Sequence, residues 1–212
     1  MQVAGFSVGP LRENAWLVAN GTRALIVDPG AEAERLLREI DQRGVALEAI
    51  LITHCHFDHV GAVAALARAT AAPVYCPAGE VAWLQDIDAH AGGFPGVGPF
   101  ESYTPEHTVA GGDQLELAGL RIDVIATPGH SPDHVSYAIE SAELVLSGDV
   151  LFQGSIGRTD LPGADHATLL RSIATLLAAL PAETRVLPGH MGPTTLAAER
   201  ATNPFLRELV TT

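Results

Sequence analysis

Lysine is absent from this chain of 212 residues, and all 12 of its basic side chains are arginines. The 25 acidic residues bring the formal net charge to −13 at pH 7 with histidine neutral. Nucleic acids and anionic membrane surfaces attract proteins through clusters of basic side chains. We therefore expect a chain of this charge to bind neither nucleic acid nor a membrane.

Cysteine is also scarce, since the chain has two, Cys55 and Cys76. Two cysteines cannot form the disulfide framework of a small secreted domain. No apolar run approaches the ~18 residues of a membrane span. Residues 1–10 lack the basic start and the apolar stretch of a signal peptide. These absences lead us to expect a cytoplasmic protein.

The composition is that of a globular protein. Hydrophobic residues make up 47% of the chain and charged residues 17%, with a mean hydropathy of +0.21. These values exclude a disordered or fibrous chain. We expect residues 1–212 to form a single domain with a sizeable core.

Short apolar runs, bounded by turn residues, predict strands in two regions, and segments with helical spacing follow in each. The predicted strands are Gln2–Val8, Asn14–Ala19, Ala24–Val27, Ala49–Ile52, Val74–Cys76, Gln114–Leu117, Leu120–Ala126, Val135–Ile139, Leu144–Leu146 and Arg185–Leu187. The predicted helices are Ala31–Arg43, Ala62–Thr70, Gly79–Leu84, Ala167–Leu180 and Thr195–Thr202. Asn20-Gly21 predicts a type I′ hairpin turn, and the Gly- and Pro-rich stretch His90–Glu106 predicts a long loop. The order indicates a mixed α and β fold.

Histidine is over-represented, with nine copies, three of which lie close together at positions 54, 56 and 59. They belong to the segment Thr53–His59, which also contains Asp58 and directly follows the apolar strand Ala49–Ile52. Burying such a cluster without a metal ion would leave many polar groups in need of partners. We therefore interpret this segment as part of a metal site.

The spacing within the segment suggests two ions. His54 and His56 are two positions apart on an extended chain, so their side chains point the same way and can share one ion. Asp58 and His59 lie where the chain enters a helix and can face a second ion. Imidazole and carboxylate ligands favour zinc, and iron and manganese are compatible with them.

Three further ligand candidates share a context, because each lies in a turn that directly follows a predicted strand. His130 ends the sequence Thr127–His130, Asp149 ends Ser147–Asp149, and His190 ends the sequence of residues 187–190. Functional side chains are often carried on such loops, which a rigid scaffold holds in place.

The ordered set H-x-H-x-D-H, Gly-His, Gly-Asp and Gly-His resembles the metallo-β-lactamase superfamily, and Asp28-Pro29-Gly30 matches its early Asp motif. The resemblance implies an αββα four-layer sandwich, of the α+β class, with a two-metal site. It implies that His54, His56 and His130 hold the first metal. By the same resemblance Asp58, His59 and His190 hold the second, and Asp149 bridges both.

Within that superfamily the chain is most similar to short hydrolases of the glyoxalase II type, the hydroxyacylglutathione hydrolases. The segment Gly154–Asp160 follows the bridging Asp as in these thioester hydrolases, and the extra C-terminal helical domain of longer glyoxalase II enzymes is not expected. The implied activity is cleavage of a thioester, S-lactoylglutathione or a similar acyl-thiol, by a metal-bound hydroxide. Asp58 would orient that nucleophile, and Arg158 would bind an anionic group of the substrate.

Other functions stay open at this point. Thr53–His56 and Gly157–Asp160 also resemble the persulfide dioxygenases, which hold a single iron with two histidines and an aspartate. Hydrolysis of a lactone or a β-lactam is a third interpretation. A metal-binding protein without catalysis would be expected to lack one of the seven ligands, and none is missing.

Three side chains near the predicted ligands have a structural interpretation of their own. Arg158 is as well explained by an ion pair with Asp160 within its loop. His134 matches no ligand position of the family and is expected to form hydrogen bonds within a loop. Cys55 alternates with two ligands, so we expect a packed thiol and not a nucleophile.

Overall fold

The computed structural model describes residues 1–91 and 97–209. Those residues form two compact units. The first comprises residues 1–109 and 116–120, and the second comprises residues 110–115 and 121 onwards. The expectation that residues 1–212 form a single domain stays a prediction.

The first unit contains a six-stranded mixed sheet. Its strands are β1 (Gln2–Val8), β2 (Glu13–Asn20), β3 (Arg23–Val27), β4 (Ala46–Leu51), β5 (Val74–Pro77) and β6 (His107–Val109), and they lie in that order across the sheet. The first three strands are antiparallel, and β3 to β6 are parallel. The parallel arrangement matters for function, because it brings the loops that follow β3, β4 and β5 to one edge of the sheet.

Helices connect the parallel strands of this unit. They are α1 (Ala33–Gln42), α2 (Phe57–Val60), α3 (Val63–Thr70), α4 (Val81–Gln85) and α5 (Ile87–His90), with a 3₁₀ turn over Ala78–Glu80. Leu36 and Ile40 of α1 and Leu66 of α3 are buried in one core with the apolar faces of the strands. Each such side chain contributes about 1.5–3 kcal/mol by leaving water.

A second six-stranded sheet and a two-stranded ribbon belong to the second unit, except for residues 116–120, which group with the first. The strands are β7 (Gln114–Leu117), β8 (Leu120–Ala126), β9 (Val135–Ile139), β10 (Leu144–Gly148), β11 (Leu151–Phe152), β12 (Ser155–Ile156), β13 (Arg185–Pro188) and β14 (Thr194–Thr195). The sheet order is β14-β13-β10-β9-β8-β7, and β11 pairs with β12. Strands β10 and β13 are parallel, so the loops that follow them lie at one sheet edge.

Two helices and a 3₁₀ segment cover this second sheet. Helix α6 (His166–Ala179) buries Leu169, Ile173 and Leu176, whose spacing places them on one face. The carboxylate of Asp165 caps this helix by accepting from the Thr168 amide. Helix α7 (Leu196–Thr202) and the 3₁₀ segment Pro204–Leu209 follow the last strand.

Most predicted elements are confirmed within one to three residues. The differences have local causes. The Asn20-Gly21 hairpin has a positive φ at Gly21 and pairs Asn20 with Arg23, so Gly21 is the first residue of a two-residue turn, as in type II′. The prediction of a type I′ turn was wrong in that respect.

The elements that were missed are short and carry little periodicity: α2, α5, β6, β11, β12 and β14. Part of the long loop predicted over His90–Glu106 falls on residues 92–96, outside the described residues. Positions 97–106 form neither helix nor strand. Among the described residues, no helix combines the length and the apolarity needed to cross a membrane.

Candidate metal centre

Four predicted ligands lie together in the first unit, and we call His54, His56, Asp58 and His59 the N-terminal cluster. The ring of His54 lies 4.7 Å from that of His56 and 4.1 Å from that of His59 between centroids. The Oδ2 atom of Asp58 is 3.9 Å from Nε2 of His59. His54 and His59 are buried, whereas His56 and Asp58 are half-buried at the surface of the loop.

The local backbone explains how one short loop presents all four. The segment leaves β4 after Leu51, His56 has an extended backbone, and α2 begins at Phe57. Helix α2 turns Asp58 and His59 back toward the histidines that precede it. Gly30 makes room for this turn, because a Cβ there would lie 1.5 Å from the carbonyl oxygen of Asp58.

Asp28, at the end of β3, anchors the N-terminal cluster through its buried carboxylate. Oδ1 accepts from the Thr53 amide at 2.7 Å, and Oδ2 accepts from the Thr53 hydroxyl at 2.6 Å. Oδ2 also lies 3.0 Å from Nδ1 of His59. Since the Thr53 hydroxyl donates to Asp28, it accepts from Nδ1 of His54, 3.0 Å away. Nε2 is therefore the nitrogen that His54 and His59 present to a metal.

Two further buried carboxylates, which the sequence pattern did not predict as part of the site, lie beside this cluster. Glu80 accepts from the Cys55 amide at 2.6 Å and so holds the loop from its other side. Glu13, the first residue of β2, has its Oε1 atom 3.9 Å from Nδ1 of His59. A charged residue two positions before the apolar run Ala15–Ala19 of the same strand was the available signal for Glu13.

Cys55 is a packed thiol, as its alternation with two ligands predicted. It is buried with its Sγ atom 3.5 Å from Sγ of Cys76. Burial, reinforced by the hydrogen bond to Cys76, raises the pKa of the Cys55 thiol well above its ordinary value. A thiol that stays protonated is a poor nucleophile and a poor metal ligand.

The other three predicted ligands lie together in the second unit, and we call His130, Asp149 and His190 the C-terminal cluster. They follow β8, β10 and β13, respectively. The Oδ2 atom of Asp149 lies 3.4 Å from Nε2 of His130 and 3.6 Å from Nε2 of His190. A carboxylate placed between two imidazoles is well suited to share its oxygens between ions.

Main-chain atoms hold the C-terminal cluster. Nδ1 of His130 donates to the carbonyl oxygen of Arg158 at 2.8 Å, which again leaves Nε2 on the side of the carboxylate. Gly157 lies against Asp149, where a Cβ would come within 1.9 Å of the Asp149 carbonyl oxygen. A side chain at position 157 would therefore displace either Asp149 or the loop that orients His130.

The guanidinium of Arg158 forms the ion pair with Asp160 that was its structural interpretation. Nε and a terminal nitrogen each donate to the carboxylate at 2.7 Å, and both side chains are exposed. This pairing lowers the pKa of Asp160 to about 2. The role of Arg158 in substrate binding stays a prediction.

The donors of both clusters fit a divalent metal ion. Three histidines have Nδ1 hydrogen-bonded to a hydroxyl, a carboxylate or a carbonyl, which is how proteins orient metal-binding imidazoles. Carboxylate oxygens lie beside the Nε2 atoms of His59 and His130. Nitrogen and oxygen ligands of this kind suit zinc, iron and manganese, so the geometry does not select one of them.

Comparisons with known sequences agree with this chemistry. A family model described as the metallo-beta-lactamase superfamily matches residues 8–190. The chain is 41% identical over 199 residues to "Probable metallo-hydrolase YqgX" of Bacillus subtilis, covering 94% of each chain. It is 34% identical over 209 residues to "Hydroxyacylglutathione hydrolase GloC" of Haemophilus influenzae, covering 97% of this chain and 98% of that protein.

Solved structures extend the similarity to the whole fold. BLEG-1 B3 metallo-beta-lactamase has a TM-score of 0.92 at 39% identity, covering 97% of this chain and 100% of that one. The di-iron-bound form of TTHA1623 has a TM-score of 0.88 at 44% identity, covering 96% and 100%. The expected fold class, two sheets with their helices in a metallo-β-lactamase fold, is therefore confirmed.

Proposed function

The chain belongs to the metallo-beta-lactamase superfamily, and from this premise we propose that it hydrolyses thioesters, S-lactoylglutathione or a similar acyl-thiol. At the coarser level it is a metal-dependent hydrolase of that superfamily. The thioester assignment rests on the similarity to GloC and on the segment Gly154–Asp160 that follows Asp149 in the sequence.

We propose that the two clusters supply the ligands of a two-metal site, as the family resemblance implies. The observation that carries this step concerns the ring nitrogens of three histidines. The Nδ1 atoms of His54, His59 and His130 are each hydrogen-bonded within the protein, so each presents Nε2 to a metal. The proposed ligands of the first metal are His54, His56 and His130, those of the second are Asp58, His59 and His190, and Asp149 is shared.

Divalent metals at this site would lower the pKa of a water molecule and polarise the acyl carbonyl oxygen. The half-buried carboxylate of Asp58 accepts a hydrogen bond from the attacking water and so orients it. Asp149 places its Oδ2 atom 3.4 Å from Nε2 of His130 and 3.6 Å from Nε2 of His190, where its carboxylate would be shared by the metal ions that the two histidines bind. The leaving group is a thiolate, and thiols ionise near pH 8.5, so the chain needs no strong general acid to expel it.

Arg158 is the proposed partner of a substrate carboxylate. Its guanidinium can hold a carboxylate with two parallel hydrogen bonds, as it holds Asp160 here. A glutathione thioester, which carries carboxylates, would then compete with Asp160 for the same donors.

The test is metal analysis joined to an assay. Protein purified without added metal should contain close to two metal ions per chain and should hydrolyse S-lactoylglutathione. Nitrocefin provides a β-lactam substrate for comparison, because it would be cleaved by a lactamase and not by a thioesterase. Thioester hydrolysis without metal, or nitrocefin cleavage without thioester hydrolysis, would contradict the proposal.

The alternative is a persulfide dioxygenase with one iron. TTHA1623, a similar chain, was solved in a di-iron-bound form, which supports iron as the metal, although with two ions where this alternative has one. One iron per chain, oxygen uptake with glutathione persulfide and no thioester hydrolysis would establish this alternative in place of the hydrolase.

A further inference from the structure

Behind Asp149 lies a series of polar side chains that the ligand set does not include. His134, Thr127, Ser136 and Ser147 are all fully buried in the second unit. The amide of Asp149 donates to Nε2 of His134 at 3.1 Å. Nδ1 of His134 lies 2.9 Å from the Thr127 hydroxyl, which lies 3.0 Å from that of Ser136. Buried polar groups linked in this way act as one unit.

The hydrogen bonds of this series run in a single direction. A main-chain N–H can only donate, so Nε2 of His134 carries no proton and Nδ1 does. Nδ1 then donates to Thr127, whose own proton goes to Ser136. Ser136 donates onward to the carbonyl oxygen of Ser147. The series therefore holds His134 as the neutral tautomer that accepts at Nε2.

One end of this series is the main-chain amide of Asp149, a proposed metal ligand. Gly148 ends β10 with a positive φ of 50°, and the peptide unit that joins it to Asp149 is held through both of its polar atoms. The Gly148 carbonyl accepts from the Gly189 amide at 2.9 Å. His134, in the loop between β8 and β9, accepts the hydrogen bond from the Asp149 amide. The side-chain carboxylate of Asp149 lies beside the imidazoles of His130 and His190. A rotation of the peptide unit would move both carboxylate contacts together.

We propose that His134 is a positioning residue for Asp149 and that it sets the affinity of the site for metal through the Asp149 main chain. The proposal rests on Asp149 being a metal ligand, as in the proposed function. A merely structural role, in which His134 fills the core and satisfies its own polar atoms, predicts a loss of thermal stability with no selective effect on metal affinity.

Two substitutions of similar polarity separate these roles. In His134→Gln the side-chain oxygen reaches the place of Nε2 and can accept from the Asp149 amide. In His134→Asn the side-chain nitrogen replaces Nδ1, so the contact with Thr127 survives and the contact with Asp149 is lost. We expect the Asn variant to bind metal about tenfold more weakly or worse, as when other supports of ligands are removed. The Gln variant should stay within about threefold of the unchanged protein on the same scale.

The measurement is a titration of metal-free protein with Co²⁺, followed by its visible absorption and in competition with a chelator. His166→Asn is the matched control, because His166 is exposed and its Nδ1 atom also lies near a threonine hydroxyl, that of Thr159, at 3.4 Å. Thr127→Val and Thr127→Ser test the contact between Nδ1 of His134 and the Thr127 hydroxyl. The Val variant should weaken Co²⁺ binding several-fold, and the Ser variant, which keeps the hydroxyl, should restore it.

Equal Co²⁺ affinities for the Gln and Asn variants and the unchanged protein would overturn the proposal, whatever the thermal stabilities. If the Asn variant does not fold, the pair at Thr127 decides the question in the same way. The outcome is separable from that of the proposed function. A chain that binds Co²⁺ without hydrolysing a thioester refutes the thioesterase, yet its Co²⁺ affinities still test His134.

Discussion

The two clusters of predicted ligands are built in different ways. The N-terminal cluster takes four side chains from one segment of six residues, a loop that enters helix α2, and the side chain of Asp28 holds that segment. The C-terminal cluster takes each of its three side chains from the end of a different strand. There the main-chain carbonyl of Arg158 and the main-chain amide of Asp149 make the supporting contacts.

This difference predicts different weaknesses. A side-chain anchor can be removed by one substitution, and the loop that depends on it will then move as a whole. A main-chain anchor such as the Arg158 carbonyl remains when the side chain of its residue is replaced. The C-terminal cluster should instead be sensitive to the register of the sheet and to the imidazole of His134, which contacts the Asp149 amide.

The largest effect should come from removing one carboxylate from each cluster. Asp58→Asn and Asp149→Asn keep the size of the side chain but remove its charge. Each should lower kcat/KM for S-lactoylglutathione by about a thousandfold, because Asp58→Asn removes a positioned proton acceptor and Asp149→Asn removes the charge of a proposed metal ligand. Asp113→Asn, at an exposed turn, is the control. Full activity in either cluster variant would mean that the cluster concerned is not part of the site.

Metal removal should have the next largest effect, on stability. Both clusters gather imidazoles and carboxylates whose mutual approach a metal ion would favour, so metal binding should be linked to folding. Metal at about 100 times its dissociation constant adds ~2.7 kcal/mol to the free energy of unfolding, or about 5–10 °C in Tm for a chain of this length. A thermal melt with and without EDTA measures this, and EDTA already loaded with zinc is the control. An unchanged Tm would show that the clusters are equally stable without metal.

Substitution of the two anchoring residues, Asp28 and Arg158, should change the affinity for metal to different extents. Asp28→Asn removes the charge that faces His59 and weakens two hydrogen bonds to Thr53, so Co²⁺ affinity should fall by about 10–100-fold. Arg158→Ala keeps the carbonyl that orients His130, so Co²⁺ affinity should change by less than about threefold on that scale. Chelator competition compares the two variants directly. An equal loss in both would show that the distinction between side-chain and main-chain anchors is wrong.

The same contrast explains how much the sequence could reveal. The residues of the N-terminal cluster are adjacent in the chain, so spacing alone brought His54 and His56 together. Nothing local links His130, Asp149 and His190, and their grouping came from a resemblance to a known family. Sequence periodicity predicted strands such as Leu120–Ala126 to the residue, because each buries apolar side chains.

The supports of the clusters were harder to predict than the ligands. Glu13 and Glu80 are buried in the tertiary structure, beside Nδ1 of His59 and the Cys55 amide, respectively, and the sequence around them does not reveal those neighbours. His134 was expected to form hydrogen bonds within a loop, and it contacts Thr127 in that way, but its other partner is the Asp149 amide, 15 residues away. The short strands β11, β12 and β14 are too brief for an alternating pattern to appear.

The smallest effect concerns the exposed pair of Arg158 and Asp160. The pKa of Asp160 falls from 3.8 to about 2 in the folded chain. A lowered carboxyl pKa stabilises the fold above pH 3.8, and this contribution is lost as the pH falls toward 2. Because both side chains are exposed, solvent screens the pair, and Asp160→Asn should leave Tm unchanged between pH 5 and 8.

The same variant sharpens the proposed role of Arg158, because removing Asp160 as a competitor frees the guanidinium. The KM for S-lactoylglutathione should then fall about two- to threefold, the scale of an exposed ion pair. Arg158→Ala should raise KM instead, with a smaller change in kcat. A neutral thioester without carboxylates is the control substrate, and its KM should not respond to either change. If neither Asp160→Asn nor Arg158→Ala changes KM for either substrate, Arg158 does not bind substrate and only stabilises its own loop.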